Sequence, residues 1–440
     1  MALKRLGLVA FCIFLSSCFG KEKLRSLEKI KESGELVVLT RNSSLSYFTD
    51  RNGQPAGFEY ELVNAFAKSL GIKVKFKMVN GLDEMMDKLE NGEADMIASG
   101  MTATVERKKR FLMSHSYLKI HQQLVCKKID PPMEITKLTD ADLVVVKGSS
   151  YEERLKELQR NWPSLKWRVA SDQSTEQLLN MVWNEQIDCT IADSNIVDNH
   201  KRYMTELKVG RNMTEKQELA WFFPLASNEL KSTVDNWLLG YESKNFIKVL
   251  SARYFDDTNG LNDFNTKTFR EVTSKKLPEY KKIFQNAAKK YHLDWRLLVA
   301  ISFYETRMEM VENDYQVGLM GLSRDIGKKM GIQDVGQPAQ HIFGGARYLS
   351  LLYELQPDYL KQEDKLRFAI AAYNFGMDHL IDARNLAILQ NKNPNTWEGV
   401  SAAMPLMSHP RYYKDLKHGY AQGIEPVIYV NRILGYVDGI

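Results

Sequence analysis

Between residues 34 and 256 short apolar runs alternate with longer stretches of helical period. The runs at 36–39, 74–79, 96–98, 143–146 and 189–192 are each bounded by polar or turn-forming residues, as largely buried strands are. The segments 59–70 and 175–184 carry their apolar positions at helical spacing. Strand–helix–strand alternation of this kind predicts βαβ units and a mostly parallel sheet. Residues 40–53 are polar and rich in turn formers, the pattern of a loop at a strand end. Further on, Asp294 is a candidate N-cap for a helix running through Trp295-Arg296-Leu297-Leu298-Val299-Ala300-Ile301 to Glu305.

Glu305 is the first residue that changes the picture from fold to chemistry. Four and seven positions before it lie Ile301 and Leu298, so its carboxyl sits on or beside the apolar face. Desolvation there disfavours the charged form. A carboxyl that keeps its proton near neutral pH is what cleavage of a glycosidic bond requires, because the oxygen leaves poorly until protonated. Tyr304-Glu305-Thr306, Gly318-Leu319-Met320-Gly321, Gly344-Gly345-Ala346-Arg347-Tyr348-Leu349 and Ala371-Ala372-Tyr373-Asn374-Phe375-Gly376 follow in order at domain-like spacing. This ordered set, covering about residues 276–440, resembles the soluble-lytic-transglycosylase type of lysozyme-like domain. The stretch from Gly419-Tyr420-Ala421 to Glu425-Pro426-Val427-Ile428-Tyr429-Val430 resembles one branch of it, the membrane-bound lytic transglycosylases F.

The resemblance implies that Glu305 is the catalytic acid, with Tyr373 beside it and Asn374, Thr306, Met320 and Gly318 among the sugar-binding positions. It implies cleavage of peptidoglycan between N-acetylmuramic acid and N-acetylglucosamine without water, the muramyl C6 hydroxyl attacking C1 to leave a 1,6-anhydro product. Two departures stand out: Thr306 replaces the usual Ser, and Gly321 replaces the usual Gln and removes a polar side chain from the cleft. A hydrolase would need a second carboxylate. Glu309, Glu312 and Asp314 are the nearby candidates, and none stands at a matched catalytic position, so all three read as solvated charges. The alternatives are therefore a lysozyme-type hydrolase, or a sensor that grips glycan or amino acid without cutting.

The front half carries its own resemblance. Asp50-Arg51-Asn52-Gly53, Gly57-Phe58-Glu59-Tyr60-Glu61-Leu62, Gly92-Glu93-Ala94-Asp95-Met96 and the run from Gly100-Met101-Thr102 to Glu106-Arg107 resemble the family 3 periplasmic solute-binding proteins that capture amino acids. By that resemblance Arg107 clamps a ligand carboxylate, Asp193 receives its ammonium group, and Thr102 lies in the same site. A planar, permanently charged guanidinium suits bidentate carboxylate binding. The expected fold is thus a two-lobed α/β binding-protein-like domain over 34–256, then a mainly α lysozyme-like domain over 276–440, joined by a linker at 257–275. Crossings between lobes are expected near Val125-Cys126-Lys127 and Trp221-Phe222-Phe223, giving lobes 34–125 plus 222–256 and 128–220. Peptidoglycan strands, and an amino acid or muropeptide in the front cleft, are the expected partners.

The N-terminus bears on location. Met1-Ala2-Leu3-Lys4-Arg5 precedes an apolar run over 6–15 that is too short to span a bilayer and reads as a secretory signal. Leu15-Ser16-Ser17-Cys18 resembles a bacterial lipobox, which implies signal removal after residue 17, lipid on Cys18, and a tether over 18–33. Phe19, in place of Asp, favours the outer membrane. Of four cysteines, only Cys126 and Cys189 then remain in the body, and their spacing does not argue for a disulfide. The eight histidines are scattered, so no metal or other cofactor is expected. A net charge of +5 on 440 residues is mild, and the basic run Arg107-Lys108-Lys109-Arg110 lacks interleaved aromatics, so nucleic acid is not an expected partner.

Overall fold

The computed structural model describes residues 24–255, 266–312 and 316–440. Cys18 and most of the expected linker lie outside these residues. The front domain has two lobes. The first is built on a five-stranded sheet in the order Lys73–Met78, Glu35–Thr40, Met96–Ile97, Phe222–Phe223, Leu112–Met113. Its first three strands are parallel, as βαβ connections require, and Phe222–Phe223 runs against its neighbours. The helix Phe58–Ser69 buries Phe58, Leu62, Val63 and Phe66 against it, the i, i+4 pattern that marks the segment as amphipathic.

The second lobe departs from the expected parallel sheet. Cys189–Asp193, Gln122–Cys126 and Lys208–Asn212 pair antiparallel, and a single bridge from Leu143 to Cys189 extends the sheet toward the parallel pair Val144–Val146 and Arg168–Ala170. The reason is topological. The strand entering this lobe, Gln122–Cys126, lies in the middle and runs against both Cys189–Asp193 and Lys208–Asn212. The neck between lobes is the antiparallel pair Leu118–Ile120 and Gln217–Leu219. The first crossing therefore comes before Gln122 rather than at 125–127, because Val125 and Cys126 already pair with Thr190 and Cys189. Likewise Phe222–Phe223 belongs to the first-lobe sheet. Cys126 and Cys189 stand opposite each other in that register and form a disulfide.

The rear domain is mainly helical. Thr266–Tyr291 is one long helix, so residues 266–275 are its first turns rather than linker. Phe269 explains the difference: it is buried between Phe303 and Tyr436, at ring separations of 5.0 and 4.5 Å. Burying such a ring stabilises by about 1.5–3 kcal/mol, enough to recruit a polar segment into a helix. Trp295–Thr306 runs through the middle of this domain with all but its ends buried, packed on Thr266–Tyr291 and on Ile424–Val437.

Candidate active site

The Glu305 helix starts as its sequence predicts: the Asp294 carboxylate accepts the backbone N–H of Arg296 at 2.8 Å. It ends one residue past Glu305, where Arg307 turns left-handed at φ 55°. Beside this end lies the glycine turn. The Leu319 carbonyl accepts bonds from Ser302 Oγ and Thr306 Oγ1, both at 2.8 Å. Thr306 is buried and spends its hydroxyl on this fastening, so it is not a sugar contact. Gly318 and Gly321 both have positive φ; a Cβ on Gly321 would fall 2.6 Å from Oε2 of Glu305, so this glycine keeps the space beside the acid open. A Cβ on Gly318 would overlap the His341 ring, and Met320 packs its side chain against Gly345. Gly318 and Met320 thus shape the turn without facing the cleft.

The phenol on the acid is not the one the motif suggests. Tyr429 Oη donates to Oε1 of Glu305 at 3.0 Å, whereas Tyr373, 1 % exposed, donates to the Met320 carbonyl at 2.7 Å. Tyr373 lies within electrostatic reach of Glu305 but holds the turn. Tyr429 was visible only as part of the C-terminal match, where nothing in its spacing identified it as a partner of residue 305.

Glu305 also has a partner from the other domain. Its side chain is 5 % exposed, as the apolar flank predicts, yet it is not alone. Arg51 sits at the tip of the hairpin formed by Phe48–Thr49 and Pro55–Ala56. Its Nη1 and Nη2 donate to Oε2 of Glu305 at 3.4 and 3.3 Å, and to the carbonyls of Tyr373 and Gly321 at 3.3 Å each. Burial opposes the charge on Arg51, but Glu305 outweighs it and holds the arginine above its ordinary range.

A cavity of about 1130 Å³ between the domains contains Arg51, Glu305, Asn374, Arg202 and Glu425 among its lining residues. Asn374 lines this cavity together with Glu425. Glu425 is a second carboxyl that the sequence comparison of nearby acids passed over. Packing around it raises it above its ordinary range, with Arg202 and Arg51 opposing. Of the acids nearer in sequence, Glu309 is exposed and pairs with Lys276 at 2.6 Å, and Glu312 pairs with Arg324 at 3.3 Å. Asp314 lies outside the described residues.

In the front cleft Arg107, Thr102 and Asp193 are all buried. Arg107 donates to the Thr102 carbonyl at 3.0 Å and, across the cleft, to the Gly148 carbonyl at 3.3 Å, and it pairs with Glu153 at 3.5 Å. Ser150 Oγ reaches Thr102 Oγ1 at 3.4 Å. The lobes are therefore closed on each other. Burial raises Asp193 to about 7, with Arg41, Tyr151 and Arg107 pulling the other way.

Residues 36–257 match the family of bacterial extracellular solute-binding proteins, family 3, and residues 282–396 match the transglycosylase SLT domain. The membrane-bound lytic murein transglycosylase F of Maricaulis maris (strain MCS10) is 37% identical over 414 residues, 93% of this chain and 91% of that protein. The protein of the same name from Pseudomonas putida (strain W619) is 36% identical over 431 residues, 97% of this chain and 88% of that protein. The chain belongs to the membrane-bound lytic murein transglycosylase F family. Among solved structures, the ancestral amino acid-binding protein AncCDT-1, a precursor of cyclohexadienyl dehydratase, is 27% identical with a TM-score of 0.46, covering 52% of this chain and 99% of that one. It follows that this chain is a lytic transglycosylase with a solute-binding module in front, and that Glu305 lies in the transglycosylase domain.

Proposed function

We propose that the protein cuts peptidoglycan between N-acetylmuramic acid and N-acetylglucosamine with Glu305 as its acid, yielding 1,6-anhydromuramyl ends. The observation that carries this reading is the buried Glu305 carboxyl at the cavity wall, oriented by Tyr429. Protonated Glu305 delivers its proton to the leaving oxygen while the acetamido group of the sugar stabilises charge at C1. The carboxylate then takes the proton of the muramyl C6 hydroxyl as that oxygen closes on C1, and no water is consumed. Tyr429 holds one carboxyl oxygen through both steps, and Asn374 and Glu425 line the glycan path. Glu425 lies in the same wall, and burial raises it above its ordinary range. Digestion of purified sacculi by the Glu305→Gln variant is the direct test. Release of anhydro products at the parent's rate would exclude Glu305 as the acid.

The same reading extends to regulation. With Oε1 bonded to Tyr429 and Oε2 to Arg51, Glu305 has no oxygen free for substrate, so the hairpin and a glycan compete for one place. The rear domain grips both lobes. His379 meets the Thr49 carbonyl at 3.2 Å and Tyr413 bonds Asn80 in the first lobe. Tyr420 donates to Glu176 at 2.9 Å and Arg432 to Thr205 at 3.1 Å in the second. Lobe movement cannot preserve both sets of contacts. A ligand that binds open and closed lobes with different affinity therefore shifts the plugged population. An amino acid or stem-peptide fragment held by Arg107 and Asp193 is the ligand in this reading, and its effect is activation. A lipid on Cys18 would place the protein at the outer membrane facing the wall; the names of the relatives, membrane-bound proteins, support attachment to a membrane.

A further inference from the structure

The cavity between the domains keeps about 1130 Å³ with the hairpin in place, more than the roughly 300–1000 Å³ of ordinary small-molecule pockets. Two of its lining side chains, one from each domain, carry buried polar atoms with no hydrogen bond. Tyr203 of the second lobe is 5 % exposed, and its Oη has no partner. Gln422 of the rear domain is half-buried, and neither its Nε2 nor its Oε1 is bonded. Buried polar atoms are nearly always bonded, so three unbonded ones on the wall of one cavity mark a place for the polar groups of a ligand.

The fold brings the two side chains to one wall. Tyr203 lies in the turn after the helix Ser194–Lys201, its N–H bonding the His200 carbonyl at 3.1 Å, and its ring is 5.4 Å from that of His200. Gln422 lies in the turn that opens the helix Ile424–Val437, where its carbonyl accepts the Glu425 N–H at 3.2 Å. Tyr420, two residues earlier, donates to Oε2 of Glu176 at 2.9 Å and so ties this turn to the second lobe. Ser44 occupies the other oxygen of Glu176, and Tyr203 bonds neither. Tyr203 is also within electrostatic reach of Glu425 and of Tyr304, the chain neighbour of Glu305, without bonding them. No bond fixes the Tyr203 hydroxyl or the Gln422 amide, so turning either into the cavity breaks none. Their atoms decide what they would take. An amide offers N–H donors beside a C=O acceptor, and a phenol offers both functions in one oxygen. A second amide, neutral and carrying one N–H and one C=O, answers both. Peptidoglycan carries such a group, the acetamide, on each of its sugar rings.

We propose that Tyr203 and Gln422 form an acetamide subsite for the glycan, so that the solute-binding module contributes a sugar contact to the cleft of the rear domain. The proposal rests on the reading that this cavity is the glycan path. Calorimetry on the full chain compares chitotetraose, the β-linked tetramer of N-acetylglucosamine, with cellotetraose, which has a hydroxyl in place of each acetamide. The parent protein binds chitotetraose about 10-fold more tightly. Tyr203→Phe and Gln422→Leu each weaken chitotetraose binding about 3- to 10-fold and leave cellotetraose binding unchanged. Both keep the parent's melting temperature, because neither side chain gives up a bond. The double variant loses the preference. Equal affinities in the parent, or a preference that survives in the double variant, overturn the subsite. So does a single variant that melts lower, since it would reveal a bond within the protein. A Glu305→Gln protein that cuts sacculi like the parent refutes the glycan reading instead, and the subsite falls with it. Loss of cutting in that variant together with equal sugar affinities in the parent keeps the acid and removes the subsite alone.

Discussion

Replacing Arg51 by alanine should turn a restrained enzyme into an active one. Arg51 makes two contacts to Glu305 and one each to the carbonyls of Tyr373 and Gly321, at 3.3–3.4 Å. These are longer than the 2.7–2.9 Å of strong charge-assisted bonds, so the low end of their range applies. About 1.5 kcal/mol for the ion pair and about 1 kcal/mol for the carbonyls gives roughly 2.5 kcal/mol lost from the plugged form. Arg51 is 23 % exposed, which weakens the pair, while Glu305 left buried and unpaired in the plugged variant adds to the loss. The plugged-to-open ratio then falls about 70-fold, and turnover rises by up to that factor until most molecules are open. Mass spectrometry of anhydromuropeptides released from sacculi over time measures it, with Arg51→Lys expected between parent and alanine. An Arg51→Ala protein that melts and binds sacculi like the parent yet cuts no faster would refute the competition. Slower cutting would mean that Arg51 assists catalysis.

Tyr429→Phe should lower kcat about 10- to 100-fold with KM little changed, because it removes one bond to the carboxyl group that reacts; Tyr373→Phe, which loosens the turn instead, should lower thermal stability as well. The pH dependence of lobe closure follows from Asp193. Its closed-cleft value of about 7 lies above the ordinary 3.8, so the neutral form favours closure. Closure without ligand is fully supported below about pH 4 and weakens as pH rises through 7. Small-angle scattering at pH 5 and 8 should show the more open form at pH 8, and Asp193→Asn should remove the difference.

Local pattern carried the sequence reading far where neighbours in the chain were also neighbours in space. The strands at 36–39 and 189–192 and the helix ending past Glu305 follow from apolar period and from Asp294 as cap. The transglycosylase motifs pointed to Glu305 and Asn374, which line one cavity. What failed was long-range. Thr306 and Tyr373 look like site residues in a motif but spend their hydroxyls on the carbonyls of Leu319 and Met320. Tyr429 is 124 positions from Glu305 and Arg51 is 254 away, and no period or spacing connects such pairs. The disulfide depends on the register of Gln122–Cys126 against Cys189–Asp193, which cysteine spacing does not encode. Phe269 drew residues counted as linker into a helix because its partners, Phe303 and Tyr436, come from far along the chain.

The hairpin bearing Arg51 is pre-shaped. Asp50 Oδ1 accepts the N–H groups of Asn52 and Gln54, and the Gly53 N–H closes back on the Asp50 carbonyl. A tip ordered before it docks gives up little freedom on entering the cleft, so its hold is set by a few side-chain contacts. On the hairpin side those contacts come from Arg51, which the proposed cutting step does not use. Under the proposed competition, the idle leak of the enzyme and its full speed are adjustable through separate parts of the chain: shortening the tip side chain should raise the leak and leave the ceiling to Glu305 and Tyr429. A cell with such a protein can retune how readily its wall is opened by changing a surface turn, with the chemistry untouched.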